Sequence, residues 1–253
     1  MIAAIVPAGN DEDNNIGACL RSLVAASRCP RLRGEPVVLV VALDRCTDAT
    51  EHIATRSGAL MVKVDCHNVG LARAAGAQVA LEAGARWLAF TDADSMVAPD
   101  WFAAQLSLGA DAVCGTVAVV DWGSHGARMQ QHYNATFADA ACRRHIHGSN
   151  MGVSAQAYQR AGGFPPLASS EDVALVEALE RSGASIAWSA APRVLTSARR
   201  DFRAPGDFGA TLARVDTASP SSVGAHGVCP IQRSVQHRFV AHAAPDFAID
   251  VLR

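Results

Sequence analysis

Lysine is almost absent from this chain of 253 residues: Lys63 stands alone, and arginine makes up the rest of the 22 basic residues. Cationic sites should therefore be fixed, planar and bidentate. No excess of either charge is present, because 24 acidic residues leave a net charge of −2. The broad positive field that a nucleic-acid backbone needs is missing, which removes nucleic acid from the expected partners. The seven cysteines (19, 29, 46, 66, 114, 142 and 229) are odd in number and include no C-x-x-C pair. That argues against a disulfide framework or a cysteine zinc site and for a reducing compartment. No apolar run approaches the roughly 20 residues that cross a bilayer. The segment Met1 to Pro7 lacks the basic stretch and long apolar region of a signal peptide. These absences predict a soluble, cytoplasmic protein.

What is present is ample apolar material, 50% of residues, with 18% charged, enough for one substantial core. In the first half, short β-branched runs alternate with helical patterns, the signature of parallel strands joined by crossover helices. Strands are expected at 2–6, 37–43, 60–64 and 87–91. Ile16, Leu20, Leu23 and Val24 form the apolar face of the first helix. Asp48 and Glu51 have capping-box spacing for a second helix ending near Gly58. An Ala-rich helix over 70–82 is stopped by Gly84. Later, an extended run over 112–120, a helix over 126–141, a short strand at 151–154, a helix over 155–161 ended by Gly162-Gly163, a helix over 173–181 and a strand at 192–195 are expected. Beyond Arg203 periodicity fades, and four prolines punctuate the segment.

Several polar residues fall at predicted strand or helix ends, where open α/β sheets bind ligands. Asp92 and Asp94, separated by one residue, can both reach a hard divalent cation, or one can take Mg²⁺ or Mn²⁺ and the other a ribose hydroxyl. A solvated turn with Asp94 capping the next helix is the alternative. Asp44 can accept from a base or ribose, or cap a turn with Asp48. Asn68, Gly70 and Arg73 form a polar helix entry suited to an anion. His145 and His147 should share one face of an extended segment, as ligands for metal, acceptor or phosphate or as a structural pair. Glu171 and Asp172 open a helix, a position expected to lower a carboxylate's pKa and to favour an ionised general base. Arg199 and Arg200 can close onto a diphosphate or flank a solvated turn.

Taken in order, Val6-Pro7-Ala8-Gly9-Asn10-Asp11-Glu12, Asp44 with Thr47-Asp48, Asn68-x-Gly70-x-x-Arg73-x-x-Gly76, Thr91-Asp92-Ala93-Asp94 and Ser170-Glu171-Asp172 resemble glycosyltransferase family 2 over about residues 3–200. The resemblance implies an α/β GT-A fold with a Rossmann-like, mostly parallel sheet flanked by helices. Its domain would span 1–203, with a nucleotide half about 1–95 and an acceptor half about 96–203. By its own composition the segment 204–253 reads as a loop-rich extension, either a lid folded over the site or disordered. Pro7, Ala8, Glu12, Asp44, Arg73 and Asp92 would then bind the nucleotide, and Asp94 with Asp92 the metal and diphosphate. His147 and Asn150 would face the acceptor. Asp172 would be the general base, with Glu171 beside it and the two roles exchangeable. Leu43 stands where many relatives carry a first acid, so base recognition there departs from the pattern.

The expected activity is metal-dependent, non-processive and inverting transfer from a nucleotide diphosphate sugar, UDP favoured over GDP, to a small or lipid-like hydroxyl acceptor. A sugar-phosphate nucleotidyltransferase would need a Gly-rich basic loop after the first strand, where this chain has an acidic one. A non-catalytic nucleotide-sugar binding module would be signalled by loss of Asp92, Asp94 or Asp172, all retained.

Overall fold

Ile2 to Ala8 are buried without exception, and their alternation divides them between two cores. Ile2, Ala4, Val6 and Ala8 face one layer of helices; Ala3 and Ile5 face the other. A strand buried on both faces needs a continuous apolar run, which is what this segment supplies. The structure is a computed structural model that describes residues 1–10, 13–121, 144–167, 169–197 and 250–252.

The fold is a mixed α/β sheet between helices. Strand β1 (Ile2–Ala8) lies parallel between β2 (Val37–Asp44) and β4 (Trp87–Phe90), and β3 (Leu60–Val64) extends the parallel set beyond β2. β7 (Met151–Ser154) joins β4 antiparallel, and next to it come β6 (Ala112–Asp121), β8 (Ile186–Ser197) and β5 (Met96–Val97). β9 (Asp250–Leu252) pairs antiparallel with β3 at the other edge. Helix α1 (Asp13–Ser27), a 3₁₀ turn at Pro30–Leu32, α2 (Thr50–Arg56) and α4 (Trp101–Leu106) cover one face of the sheet. The other face carries α3 (Val69–Glu82), α5 (Ala155–Ala161) and α6 (Glu171–Arg181).

The Ala-rich composition of α3 lets it lie close on the sheet. A Cβ at Gly76 would stand 2.7 Å from Ile5 Cγ2 and 3.7 Å from Ala42 Cβ, so the helix can sit at this depth only with glycine there. Opposite the Phe90 edge, Phe164 packs T-shaped at 5.0 Å and Tyr158 at 6.1 Å, joining α5 and its following turn to β4.

The expected strands and helices of the first half are present within a residue or two. The capping box is not. Asp48 Oδ1 accepts from Thr50 N at 3.0 Å, a local turn, while Glu51 pairs with Lys63 at 2.8 Å on β3. Strand β8 begins at Ile186, six residues before the expected Pro192. Neither β5 nor α4 is anticipated by the pattern: two residues show no period, and α4 buries Trp101, Phe102, Ala103, Ala104 and Gln105 in succession. The end of the expected loop-rich extension contributes β9. The helix expected over 126–141 and the segment 204–249 lie outside the described residues.

Candidate active site

Parallel pairing sets the carboxyl ends of β1, β2 and β4 side by side, and the loops leaving them are tied together. Asn10, after β1, accepts from Thr47 N at 2.6 Å and donates through Nδ2 to Thr47 Oγ1 at 3.1 Å, joining it to the loop after β2. Pro7 and Ala8 are buried at the end of β1, and Ala8 O accepts from Cys46 Sγ at 3.3 Å. Glu12 lies outside the described residues.

Asp44 ends β2 and is engaged by the loop leading into α3. Its Oδ1 accepts from Cys66 N at 3.0 Å and His67 N at 3.2 Å, its Oδ2 from Asn68 N at 3.0 Å and Cys66 Sγ at 3.3 Å. Burial, together with Asp44, pushes the Cys66 thiol up to about 11. A base or ribose contact by Asp44 would compete with these four bonds. Asn68 then caps α3, accepting from Leu71 N at 2.9 Å, and donates to Leu167 O at 2.7 Å, which ties α3 to the segment before α6. An N-cap of this kind contributes about 1 kcal/mol.

Gly70, Arg73 and Gly76 recur every third residue on one side of α3, and each meets a different neighbour. A Cβ at Gly70 would be 2.9 Å from the Glu171 side chain, so the first turns of α3 and α6 touch backbone to side chain. Arg73 is only 4% exposed. Its Nη1 donates to Glu171 Oε1 and its Nη2 to Asp92 Oδ1 at 2.5 Å. Burial opposes the charge on Arg73, but Asp92, Glu171 and Asp172 outweigh it and hold the guanidinium protonated. Removing one side of such a buried bridge costs about 3–5 kcal/mol, because the remaining charge is stranded.

Asp172 is fixed through its other neighbours. Its Oδ2 accepts from Gly148 N at 2.8 Å and its Oδ1 from Val173 N at 2.8 Å. Helix-start placement of Glu171 and Asp172 is observed, yet the expected lowering of their pKa is overturned. Burial raises both carboxyls, with Arg73 pulling the other way. Desolvation of a charge outweighs the partial charge at a helix end when the group leaves water.

Asp94 lies beside β8: Ser95 Oγ at 3.3 Å and Thr196 Oγ1 at 3.4 Å both donate to its Oδ1. Asp92 keeps 37% of its side chain exposed, with one oxygen on Arg73. The pair fits Mg²⁺ or Mn²⁺ in donor chemistry, two hard carboxylates at the sheet edge, provided a diphosphate supplies further oxygens. Among the described residues no group of three or more His, Cys, Asp or Glu is placed to hold a metal by itself. Arg199 and Arg200 lie outside the described residues.

The acceptor side differs from expectation. Asn150 is fully buried, its amide nitrogen donating to Thr116 O at 2.7 Å and Pro192 O at 2.9 Å while its Oδ1 accepts from Trp101 Nε1 at 2.9 Å. Its side-chain amide is committed to the fold and fully buried, which leaves no exposed atom to offer an acceptor. The rings of His145 and His147 stack at 6.1 Å, on one face as expected. Burial, reinforced by His145, drops His147 to about 4 against the pull of Asp92, so it is neutral at pH 7. Sequence reasoning missed the roles of Gly148 as donor to Asp172, Cys66 to His67 as the seat of Asp44, and Phe164, whose ring lies 5.9 Å from the Arg73 guanidinium. Each is a backbone or long-range contact that no local pattern encodes. A surface groove lined by Arg31, Arg33, Glu35 and Arg86 lies at the amino ends of the strands, away from these carboxylates.

The α/β sheet with its flanking helices has the GT-A fold, which it shares with solved glycosyltransferase structures. The glycosyl transferase family 2 model matches residues 3–161, more than half of the chain, and the protein belongs to that family. No curated protein matches it. Similar solved structures include Staphylococcus aureus TarS 1-349 in complex with UDP-GlcNAc (TM-score 0.60, 17% identity, 80% of this chain and 60% of that one). Another is the mannosyltransferase PcManGT from Pyrobaculum calidifontis with GDP-Man and Mn²⁺ (0.57, 18%, 86% and 65%). A third is glucosyl-3-phosphoglycerate synthase from Mycobacterium tuberculosis with Mn²⁺, UDP and glucosyl-3-phosphoglycerate (0.54, 21%, 79% and 72%). The chain thus spans about 60% of the TarS fragment. At these identities the likeness is one of fold. No helix among the described residues is long and apolar enough to cross a membrane.

Proposed function

We propose that this chain is a non-processive glycosyltransferase that moves a sugar from a nucleotide diphosphate sugar to a small or lipid-like hydroxyl acceptor, with inversion, in the cytoplasm. One observation carries the reading. Asp92, just past the carboxyl end of a central parallel strand, and Glu171, beside Asp172 at the start of α6, are brought together by the buried Arg73. Donor-side and acceptor-side acids therefore share one site.

Asp92 and Asp94 would hold Mg²⁺ or Mn²⁺ against the diphosphate, and the ion would offset charge on the leaving group. The crystallised neighbours PcManGT and glucosyl-3-phosphoglycerate synthase contain Mn²⁺. Asp172, and not Glu171, is the general base. Glu171 is 5% exposed and committed to Arg73. Each Asp172 oxygen accepts one backbone N–H and retains a lone pair that can take the acceptor's hydroxyl proton. Its raised pKa makes it a stronger base than a solvated aspartate, while Arg73 and the two N–H donors favour the ionised form. UDP is favoured as donor nucleotide over GDP.

The test is a donor screen on the purified protein. UDP with Mn²⁺ should raise the melting temperature, and one nucleotide sugar should be hydrolysed slowly in a metal-dependent manner. Asp172→Asn should leave UDP affinity intact and lower turnover by about 100- to 10,000-fold. Full activity in Asp172→Asn would remove it as the base.

A further inference from the structure

The resemblance places Arg73 against an anionic nucleotide, but the residue faces inward. It is 4% exposed, and each terminal nitrogen of its guanidinium donates to a protein carboxylate, Nη1 to Glu171 from α6 and Nη2 to Asp92 just past β4. The Phe164 ring lies 5.9 Å from it. Gly148 closes against it as well, since a Cβ there would stand 2.5 Å from Nη1. The same Gly148 donates its N–H to Asp172. One planar group thus touches the donor-side acid, the partner acid on α6 and the backbone that holds the proposed base.

We propose that Arg73 is a positioning residue: its fork sets the direction of the Asp92 carboxylate on one side and, through Glu171 and Gly148, the place of Asp172 on the other, without contacting the nucleotide. This rests on the glycosyltransferase reading for its consequence in turnover and on geometry alone for the bridge. A fork is required because two carboxylates from different elements must be met in fixed, separate directions, which a lysine ammonium on a flexible stem cannot do. The exposed part of Asp92 is then left for ligand, aimed by a bond on its buried side.

Two measurements on the full chain test this. In the first, Arg73→Lys is compared with wild type for UDP affinity by calorimetry with Mn²⁺, and for turnover as UDP release from UDP-glucose, UDP-GlcNAc and, as GDP release, GDP-mannose. Positioning predicts turnover reduced about 10- to 100-fold, the scale of a misplaced reactive group, and reduced by more than the UDP Kd is weakened, since a misaimed Asp92 costs some Mn²⁺-dependent affinity as well. A Kd weakened tenfold or more with unchanged turnover would make Arg73 a direct ligand contact and overturn the proposal. The second measurement takes melting temperatures of Arg73→Met, Glu171→Gln, Asp92→Asn and the two doubles containing Arg73→Met, with Arg73→Lys substituted where Arg73→Met does not fold. Non-additive losses in both doubles, each double less damaged than its singles sum to, establish the bridge. Additive losses overturn it. Should wild type neither bind UDP or GDP nor hydrolyse a nucleotide sugar, the glycosyltransferase reading fails, and the melting cycles still decide whether Arg73 joins Asp92 to Glu171.

Discussion

Asp172 stands between opposing influences. Burial drives its pKa up, and Arg73 with the N–H groups of Val173 and Gly148 draws it down, with burial prevailing. A general base must be ionised, so activity should rise with pH through a pKa above the ordinary aspartate range near about 3.9. The sign follows from the raised value: lowering the pH protonates Asp172 sooner than a solvated aspartate. A pH profile of metal-dependent sugar-nucleotide turnover checks this, and an acid limb at or below the solvated range would count against Asp172 in this role. That the residue opens a helix was legible in Ser170-Glu171-Asp172. The direction of its pKa was not, because burial is a property of the folded chain, and the groups that act against it, Arg73 and Gly148, are distant in the sequence.

At the scale of the element, α3 carries most of the site's precision. Asn68 caps it, Gly70 admits Glu171, Arg73 bridges two acids, and Gly76 lets it rest on β1 and β2. Gly76→Ala improves helix propensity by about 0.5–1 kcal/mol, but the new Cβ would lie 2.7 Å from Ile5 Cγ2. Overpacking of this kind costs about 1–3 kcal/mol, so the variant should be less stable in denaturant melts despite the better helix former. The motif's spacing was visible as a pattern of small and polar residues at every third position. Its meaning was not, since the partners at those positions come from β1, β4 and α6. The capping box at Asp48 failed for the complementary reason: Glu51 finds Lys63 on the neighbouring strand, a contact that outcompetes reaching back along its own chain.

At the scale of the molecule, Asp44 at the end of β2 and Asp92 just past β4 flank the carboxyl end of β1, a strand buried on both faces. Ligand binding at such an edge should stabilise the whole sheet. At a UDP concentration 100 times its Kd, linkage gives about 2.7 kcal/mol, readable as a rise in melting temperature with Mn²⁺ present. Chelating the metal should abolish most of that rise if Asp92 and Asp94 act through it. A rise indifferent to chelator would place the nucleotide elsewhere than against these two acids.

Local periodicity and end chemistry alone determined the strands β1 to β4, the helices between them, the D-x-D at a strand end and the acidic start of α6. Such features depend on residues within a few positions, so the amino-acid order carries them directly. Only the tertiary structure decided that Arg73 faces two carboxylates, that Asn150 is consumed by Trp101, Thr116 and Pro192, and that Asp44 is seated on three successive backbone N–H groups. The physical reason is common to all three: a polar group's role is set by which donors, acceptors and charges share its desolvated surroundings, and here those neighbours lie 19 to 98 residues away.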